Sequence, residues 1–383
     1  MSLNDSPLYF DYAAATPMDP VVLEAMKPYF TGKFYNPSAT YIQAKEVHKD
    51  LEAARSKIAL IIGSRSNELV FTAGGTEANN LAIQGVMRLF SGSNVVVSSI
   101  EHESILRSVD AYDSRQVPVS PKGIVELDRL VSCIDDETVL VSIMYANNEI
   151  GTVQSIRSIA QVIRDIRKSR KAFGNDLPLY FHTDAAQAAS YLDLHVSRLG
   201  VDMMTLNGGK IYGPKQSGVL FVSSNVKLKP IIFGGGQERG LRSGTENVAG
   251  AVGFATALEL AQERRHEESS RMKVLQDLFI SQLSEQLPQV VINGSLRERL
   301  PNNVHITTPG QDNERLILEL ELKNILCAAG SACSASDVEP SHVLKALGLD
   351  DEVARSSLRF SMGRQTDEAA VRRVVAELCS LLK

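Results

Sequence analysis

"ELVFTAGGTEANNLAI", residues 68–83, decides the fold. A short apolar run (68–72) ends in a glycine pair, and a helical stretch follows near 76–90. An apolar run without polar alternation marks a strand covered on both faces; the glycine turn sends the chain back over the sheet as a helix. The unit recurs. "NVVVSS" (94–99) precedes a helix near 103–113, and "TVLVSIM" (138–144) leads through "YANNEIG" into a helix near 155–169. "LPLYFHTD" (177–184), "VDMMTLN" (201–207) and "GVLFV" (218–222) follow. Strands alternating with helices predict an α/β domain on a mostly parallel sheet, covered on both faces. From about 245 to 285 the pattern is one long helix with a charged middle, "QERRHEESSRMK", read as a linker. Beyond 290, short strands ("NVHIT", "LRFSM") and helices near 312–322, 340–347 and 366–382 predict a smaller α+β domain.

Parallel sheets bind ligands beyond the carboxyl ends of their strands, so the polar residues after each strand are the candidates. Gly74, Gly75 and Thr76 open a helix whose free N–H groups can hold a phosphate. The loop is not a G-x-x-x-x-G-K-[ST] phosphate loop, and "FGGGQERG" (233–240) lacks dinucleotide-binding spacing. His102 follows the next strand, and "NNE" (147–149) the third. In "HTDAAQ" (182–187), His182 and Asp184 lie two apart on a strand and point the same way. They suit two metal ligands, or an acid that pairs with a cation. Lys210 follows the fifth run in a glycine-rich turn; a buried lysine becomes a Schiff-base nucleophile, an exposed one is a plain turn residue. A phosphate cradle, an aromatic ring, a carboxylate and a lysine on one sheet edge meet the needs of pyridoxal phosphate. A metal site leaves Lys210 and the Gly–Thr turn without roles.

Composition bounds the rest. The 383 residues are 44% hydrophobic and 22% charged, enough for a sizeable core. A net charge of -5 argues against direct nucleic acid binding. No apolar run reaches the roughly 18 residues of a membrane span. The start, "MSLNDSPLYFDY", has no basic region followed by an apolar core, so no secretory signal is expected. Four cysteines without a C-x-x-C pair make no disulfide framework, and a reducing, cytoplasmic setting is expected.

Ordered motifs along almost the whole chain then add a resemblance. "DYAAATP" (11–17), "FTAGGTEANNLAI" (71–83), "EHESIL" (101–106), "VSIMYANNEIGTVQ" (141–154), "HTDAAQ" (182–187), "KIYGPK" (210–215), "GGGQERGLRSGTEN" (234–247), "GSACS" (330–334), "EPSHVLKALGL" (339–349) and "SSLRFSMGR" (356–364) carry it. The chain resembles cysteine desulfurases of the NifS/IscS type, in the class V aminotransferase group of fold-type I pyridoxal phosphate enzymes. The resemblance implies a large domain (13–258) with a mixed, mostly parallel seven-stranded sheet. It implies a small domain (1–12 and 259–383) carrying a catalytic cysteine loop at about 327–338. By it, Lys210 would bond covalently to the cofactor, Asp184 would pair with its ring nitrogen, and His102 would stack on the ring and move protons. Gln187 and Asn148 would bond the ring hydroxyl. Gly75, Thr76 and Asn207 would hold the phosphate, and Thr245 would reach the phosphate of the other subunit in a homodimer with shared sites. Arg359 would grip the carboxylate of L-cysteine through its planar fork, with Asn36 nearby. Cys333, set among Gly, Ala and Ser in "CAAGSACSAS" (327–336), would attack the substrate sulfur as a thiolate and carry a persulfide to an acceptor protein. Cys133, Cys327 and Cys379 are read as packing residues.

Some positions depart from the family. Its usual Ser–x–His–Lys run is Asn207, Gly208, Gly209, Lys210 here, which removes one side-chain phosphate contact. Phe233 and Gln237 stand where histidines are common, and "NPSATYIQ" (36–43) lacks another. The chain ends at "LCSLLK" without the scaffold-docking extension of housekeeping members. A desulfurase paralog serving iron–sulfur assembly or thio-modification is therefore expected. The competing readings are a selenocysteine lyase or another class V reaction, and a catalytically weakened paralog.

Overall fold

A computed structural model describes residues 7–330 and 340–382 of the chain. Among them the strands run, in chain order, β1 (Leu8–Tyr9), β2 (Leu69–Thr72), β3 (Asn94–Ser98), β4 (Asp113–Val117), β5 (Thr138–Ser142), β6 (Tyr180–Asp184), β7 (Met203–Asn207), β8 (Gly218–Val222), β9 (Val291–Ile292), β10 (Asn303–Thr307), β11 (Ile325–Leu326) and β12 (Ser357–Ser361). β2 to β8 form one seven-stranded sheet in the order β2-β8-β7-β6-β5-β3-β4. β8 is antiparallel to both neighbours, and every other pair is parallel. The carboxyl ends of β2, β3, β5, β6 and β7 therefore share one edge.

Burial on both faces explains the apolar runs. Val96, Val141, Phe181 and Met204 pack on one face against Ile58, Ile159 and Phe254; Val95, Val97, Val139 and Met203 pack on the other against Leu81, Ile83 and Ile105. The exception is β4, "DSRQV", in which only Val117 is buried. It lies at the sheet edge and has no apolar run, so sequence patterning places a helix across 103–113 where the helix is Glu103–Val109.

A second core gathers Phe10, Met272, Phe279, Val304, Ile306, Leu358, Phe360 and Val371. It lies between an antiparallel sheet, β12-β10-β9, and the helices Arg265–Gln286 and Glu368–Leu382. The segment read as one linker helix is two helices, Val248–Glu263 and Arg265–Gln286, meeting at Arg264. The second is more than a linker: Met272, Leu275, Phe279 and Leu283 give it a buried face in this core. The N-terminal β1 joins the same part of the molecule by pairing with β11.

Candidate active site

A cavity of about 180 Å³ opens at the shared strand edge, with Lys210, Asp184, His102, Thr76 and Arg359 in its lining. Gly75, Asn148, Gln187 and Asn207 also line it. Nine of the residues singled out in the sequence thus meet in one place.

At the β2 end, the backbone turns at Gly74 (φ 140°), a conformation that disfavours any side chain, into the helix Gly75–Met87. Gly218 pairs with both Thr72 of β2 and Asn207 of β7, and a Cβ there would lie 2.6 Å from the Gly74 carbonyl carbon. Two backbones therefore touch beneath the turn. Asn207 caps the short turn Gly208–Lys210 by accepting from Gly209 N–H (3.1 Å), while its Nδ2 faces Gly75. A side chain at Gly209 would start 3.5 Å from Asn207 Oδ1, an ordinary contact, so space does not demand glycine there.

Lys210 Nζ donates to the carbonyls of Ala13 (2.8 Å) and Ala14 (2.6 Å), and Gln187 Nε2 donates to the same Ala13 oxygen (3.0 Å). The N-terminal "DYAAATP" stretch thus fixes the amine over the sheet edge. Asp184, 7% exposed, accepts from Asn79 Nδ2 (2.7 Å) and from Ala186 N–H (2.9 Å). Asn79 also donates to Ser104 Oγ (2.9 Å), whose hydroxyl meets His102 Nδ1 (2.8 Å). Because Nδ1 accepts from Ser104 N–H (3.1 Å), the neutral imidazole carries its proton on Nε2. A polar chain therefore joins Asp184 to His102. Asn79 and Ser104 escaped the sequence reading; Asn79 sits one helical turn after Gly75, the spacing that faces the same edge.

Arg359, on β12, is 1% exposed. Its Nη2 donates to Asp11 Oδ1 (2.6 Å) and Nη1 to the Asn148 carbonyl (3.1 Å), while Nε has no hydrogen-bond partner among the described residues. Asp11, also missed in the sequence, orients the guanidinium. Behind the cavity Glu101 is wholly buried: Oε1 accepts from Ser98 Oγ (2.5 Å) and Met144 N–H (2.7 Å), and Oε2 has no partner among the described residues. Burial, with the negative charge of Asp184 adding to it, pushes its carboxyl up to about 8 against those two hydrogen bonds.

The metal reading of His182 and Asp184 loses its geometry. His182 Nδ1 meets Ser142 Oγ (2.8 Å) and Nε2 meets Thr205 Oγ1 (3.0 Å), and burial lowers its pKa to about 4. The neutral ring thus spends both nitrogens on neighbouring strands. Among the described residues no three His, Cys, Asp or Glu side chains converge as a metal site.

Asn36 and Thr245 are exposed and do not line this cavity within one chain. Asn36 accepts from Ser38 N–H (2.9 Å) in its own turn. Cys333 lies outside the described residues. Cys133, Cys327 and Cys379 are free thiols; burial, with the negative charge of Asp11 adding to it, pushes Cys327 up to about 12, which disfavours its thiolate. Among the described residues no helix is long and apolar enough to cross a membrane.

The family model for class-V aminotransferases matches residues 8–374. The chain belongs to the class-V aminotransferase family. It is 39% identical over 366 residues to the cysteine desulfurase IscS of Dictyoglomus turgidum, an alignment covering 94% of this chain and 90% of that one. The solved structure of a NifS-like protein superposes with a TM-score of 0.90 at 30% identity, covering 98% of this chain and 99% of the other. SspA in complex with cysteine superposes at 0.79 and 34% identity, covering 93% and 98%. The NifS/IscS-type membership expected from the motifs holds over nearly the full length, as does the mostly parallel seven-stranded sheet.

Proposed function

We propose that the protein is a pyridoxal phosphate-dependent cysteine desulfurase, which converts L-cysteine to L-alanine and carries the sulfur on Cys333 to an acceptor protein. The observation that carries this reading is the convergence of Lys210, Asp184, His102 and Arg359 on one cavity beside the open Gly75–Thr76 helix start. The residues fit the cofactor chemically. They offer an amine for its aldehyde, a buried carboxylate for its ring nitrogen and helix N–H groups for its phosphate. Arg359 Nε and Asn79 Oδ1, without a hydrogen-bond partner among the described residues, leave polar capacity for a ligand.

When bound, pyridoxal phosphate supplies an electron sink for negative charge at the substrate Cα. The chain does the rest. Gly75, Thr76 and Asn207 would hold the phosphate, and Gln187 and Asn148 would orient the ring hydroxyl. Asp184, steadied by Asn79, would hold the proton on the ring nitrogen. Arg359, aligned by Asp11, binds the substrate carboxylate and so fixes the Cα proton against Lys210 Nζ, which removes it. His102, its Nδ1 occupied by Ser104, keeps its Nε2 proton for the cavity, where the imidazole would stack on the cofactor ring and move protons. The Cys333 thiolate attacks the substrate sulfur. A sulfur–sulfur bond forms as the Cβ–S bond breaks, and that bonding pair stays on Cβ, which takes a proton; a proton returned to Cα by Lys210 Nζ completes L-alanine, which leaves. The partly buried Cys327 thiol, its pKa pushed up by desolvation, is the weaker nucleophile of the two. Thr245 and Asn36, exposed in the single chain, serve the neighbouring site of a homodimer.

The test is alanine and sulfide release from L-cysteine with a thiol reductant, comparing the intact protein with Cys333→Ala. The reading requires one-to-one products from the first and neither from the second. Equal turnover by the variant would remove the persulfide step and favour a lyase that works without a protein thiol.

A further inference from the structure

We infer that Arg242 sets the preference of the cofactor site for a phosphorylated ligand, by neutralising Glu77 at the mouth of the helix Gly75–Met87. The inference rests on the proposed reading of Gly75–Thr76 as a phosphate cradle.

Glu77 is the acidic residue in the first turn of that helix and follows Thr76 directly. A carboxylate there is attracted by the same positive helix end that a phosphate needs, and it repels the phosphate. It is also lodged in place. Oε2 accepts from Ala73 N–H (2.9 Å), which ties it to the turn leading into the cradle. Its counter-charge comes from far along the chain: Arg242 Nε donates to Oε1 at 3.0 Å. Both side chains are mostly covered, Arg242 at 23% and Glu77 at 14%, so solvent screens the pair only partly.

The segment that carries Arg242 is fixed independently. Glu238 (φ 48°) and Arg239 (φ 58°) are consecutive non-glycine residues in the left-handed region, a costly conformation that persists only where surroundings enforce it. Here Arg55 grips Glu238 through two bonds of 2.7 and 2.8 Å, and Phe71 N–H donates to the same carboxylate (2.9 Å). Arg239 Nη2 donates to the Leu69 carbonyl (2.7 Å). The loop is thereby bolted to β2, whose end forms the cradle, and Arg242 is delivered to Glu77 from this anchored base. Arg242 is a positioning residue: it makes an otherwise repulsive helix start receptive to a dianion.

The experiment measures dissociation constants of the cofactor-stripped full chain for pyridoxal phosphate and for pyridoxal, which lacks the phosphate, by absorbance titration. Arg242→Gln keeps a hydrogen-bond donor for Glu77 and deletes only the charge. Its constant for pyridoxal phosphate should rise about ten-fold, the scale of one charge-assisted contact, while that for pyridoxal stays unchanged. Glu77→Gln in the Arg242→Gln background should restore the native constant. Equal losses for both ligands, no loss for either, or no restoration in the double variant would each overturn the inference. Should the native chain bind pyridoxal as tightly as pyridoxal phosphate, the cradle reading itself falls, and the inference with it.

Discussion

Glu101 gives the sharpest quantitative test. It is a carboxylic acid with no exposure, adjacent in sequence to His102 and close enough to Asp184 to feel its charge. Its pKa stands at about 8 against an ordinary 4.5. Between those values the native protein keeps a proton that the unfolded chain has released. The native state thus binds more protons, and stability falls as pH rises, by about 1.4 kcal/mol per unit until the slope fades near pH 8. From pH 6 to pH 8 the loss is about 2 kcal/mol. Glu101→Gln is neutral at every pH, and its amide oxygen can accept from Ser98 and Met144 as Oε1 does. Urea unfolding of the cofactor-free protein and the variant, run side by side, cancels every other titrating group. The stability difference should shift by about 2 kcal/mol in favour of the variant across that range. A difference that stays flat would mean that Glu101 is ionised in the fold, and that a second anion sits behind the ring site beside Asp184.

Arg359→Lys replaces a planar fork held by Asp11 and Asn148 with a point charge. Its KM for L-cysteine should rise roughly ten-fold or more, and steady-state alanine release that keeps its native KM would remove Arg359 from carboxylate binding. Gly218→Ala puts a Cβ against the Gly74 backbone, which cannot swing aside as a side chain can. It should cost about 1–3 kcal/mol of stability in denaturant unfolding and weaken pyridoxal phosphate binding; native values of both would show that the two backbones part freely. Lys210→Ala should leave no cofactor on the chain after borohydride reduction and denaturation, as read by mass spectrometry, and retained cofactor mass would place the covalent bond elsewhere.

How much of this a sequence can reveal depends on what each residue touches. "NVVVS" and "GVLFV" announce themselves as strands because helices cover both their faces. "DSRQV" does not, because an edge strand with one buried residue has no reason to be apolar. The break at Arg264 is equally silent, since both flanking helices carry good helix formers.

The site divides in the same way. His102, Asp184 and Lys210 could be picked out because each is a reactive group just after an apolar run. Asp11 could not, because its meaning lies in Arg359, 348 residues away, and it comes before the first long strand. His182, one half of the metal alternative that Lys210 already argued against, shows a related limit. Period-two alternation correctly places it on the same side of β6 as Asp184, yet a strand side chain can face either an open edge or a neighbouring element. The distance between strands decides which, and here Ser142 on β5 and Thr205 on β7 stand close enough to take both ring nitrogens. What distinguishes Asp184 is its place as the last residue of β6, past the end of the pairing with β5, where the helix Gly75–Met87 contributes Asn79. A carboxylate one pleat further back would be walled in as His182 is, so the chemistry of this edge turns on where β6 stops.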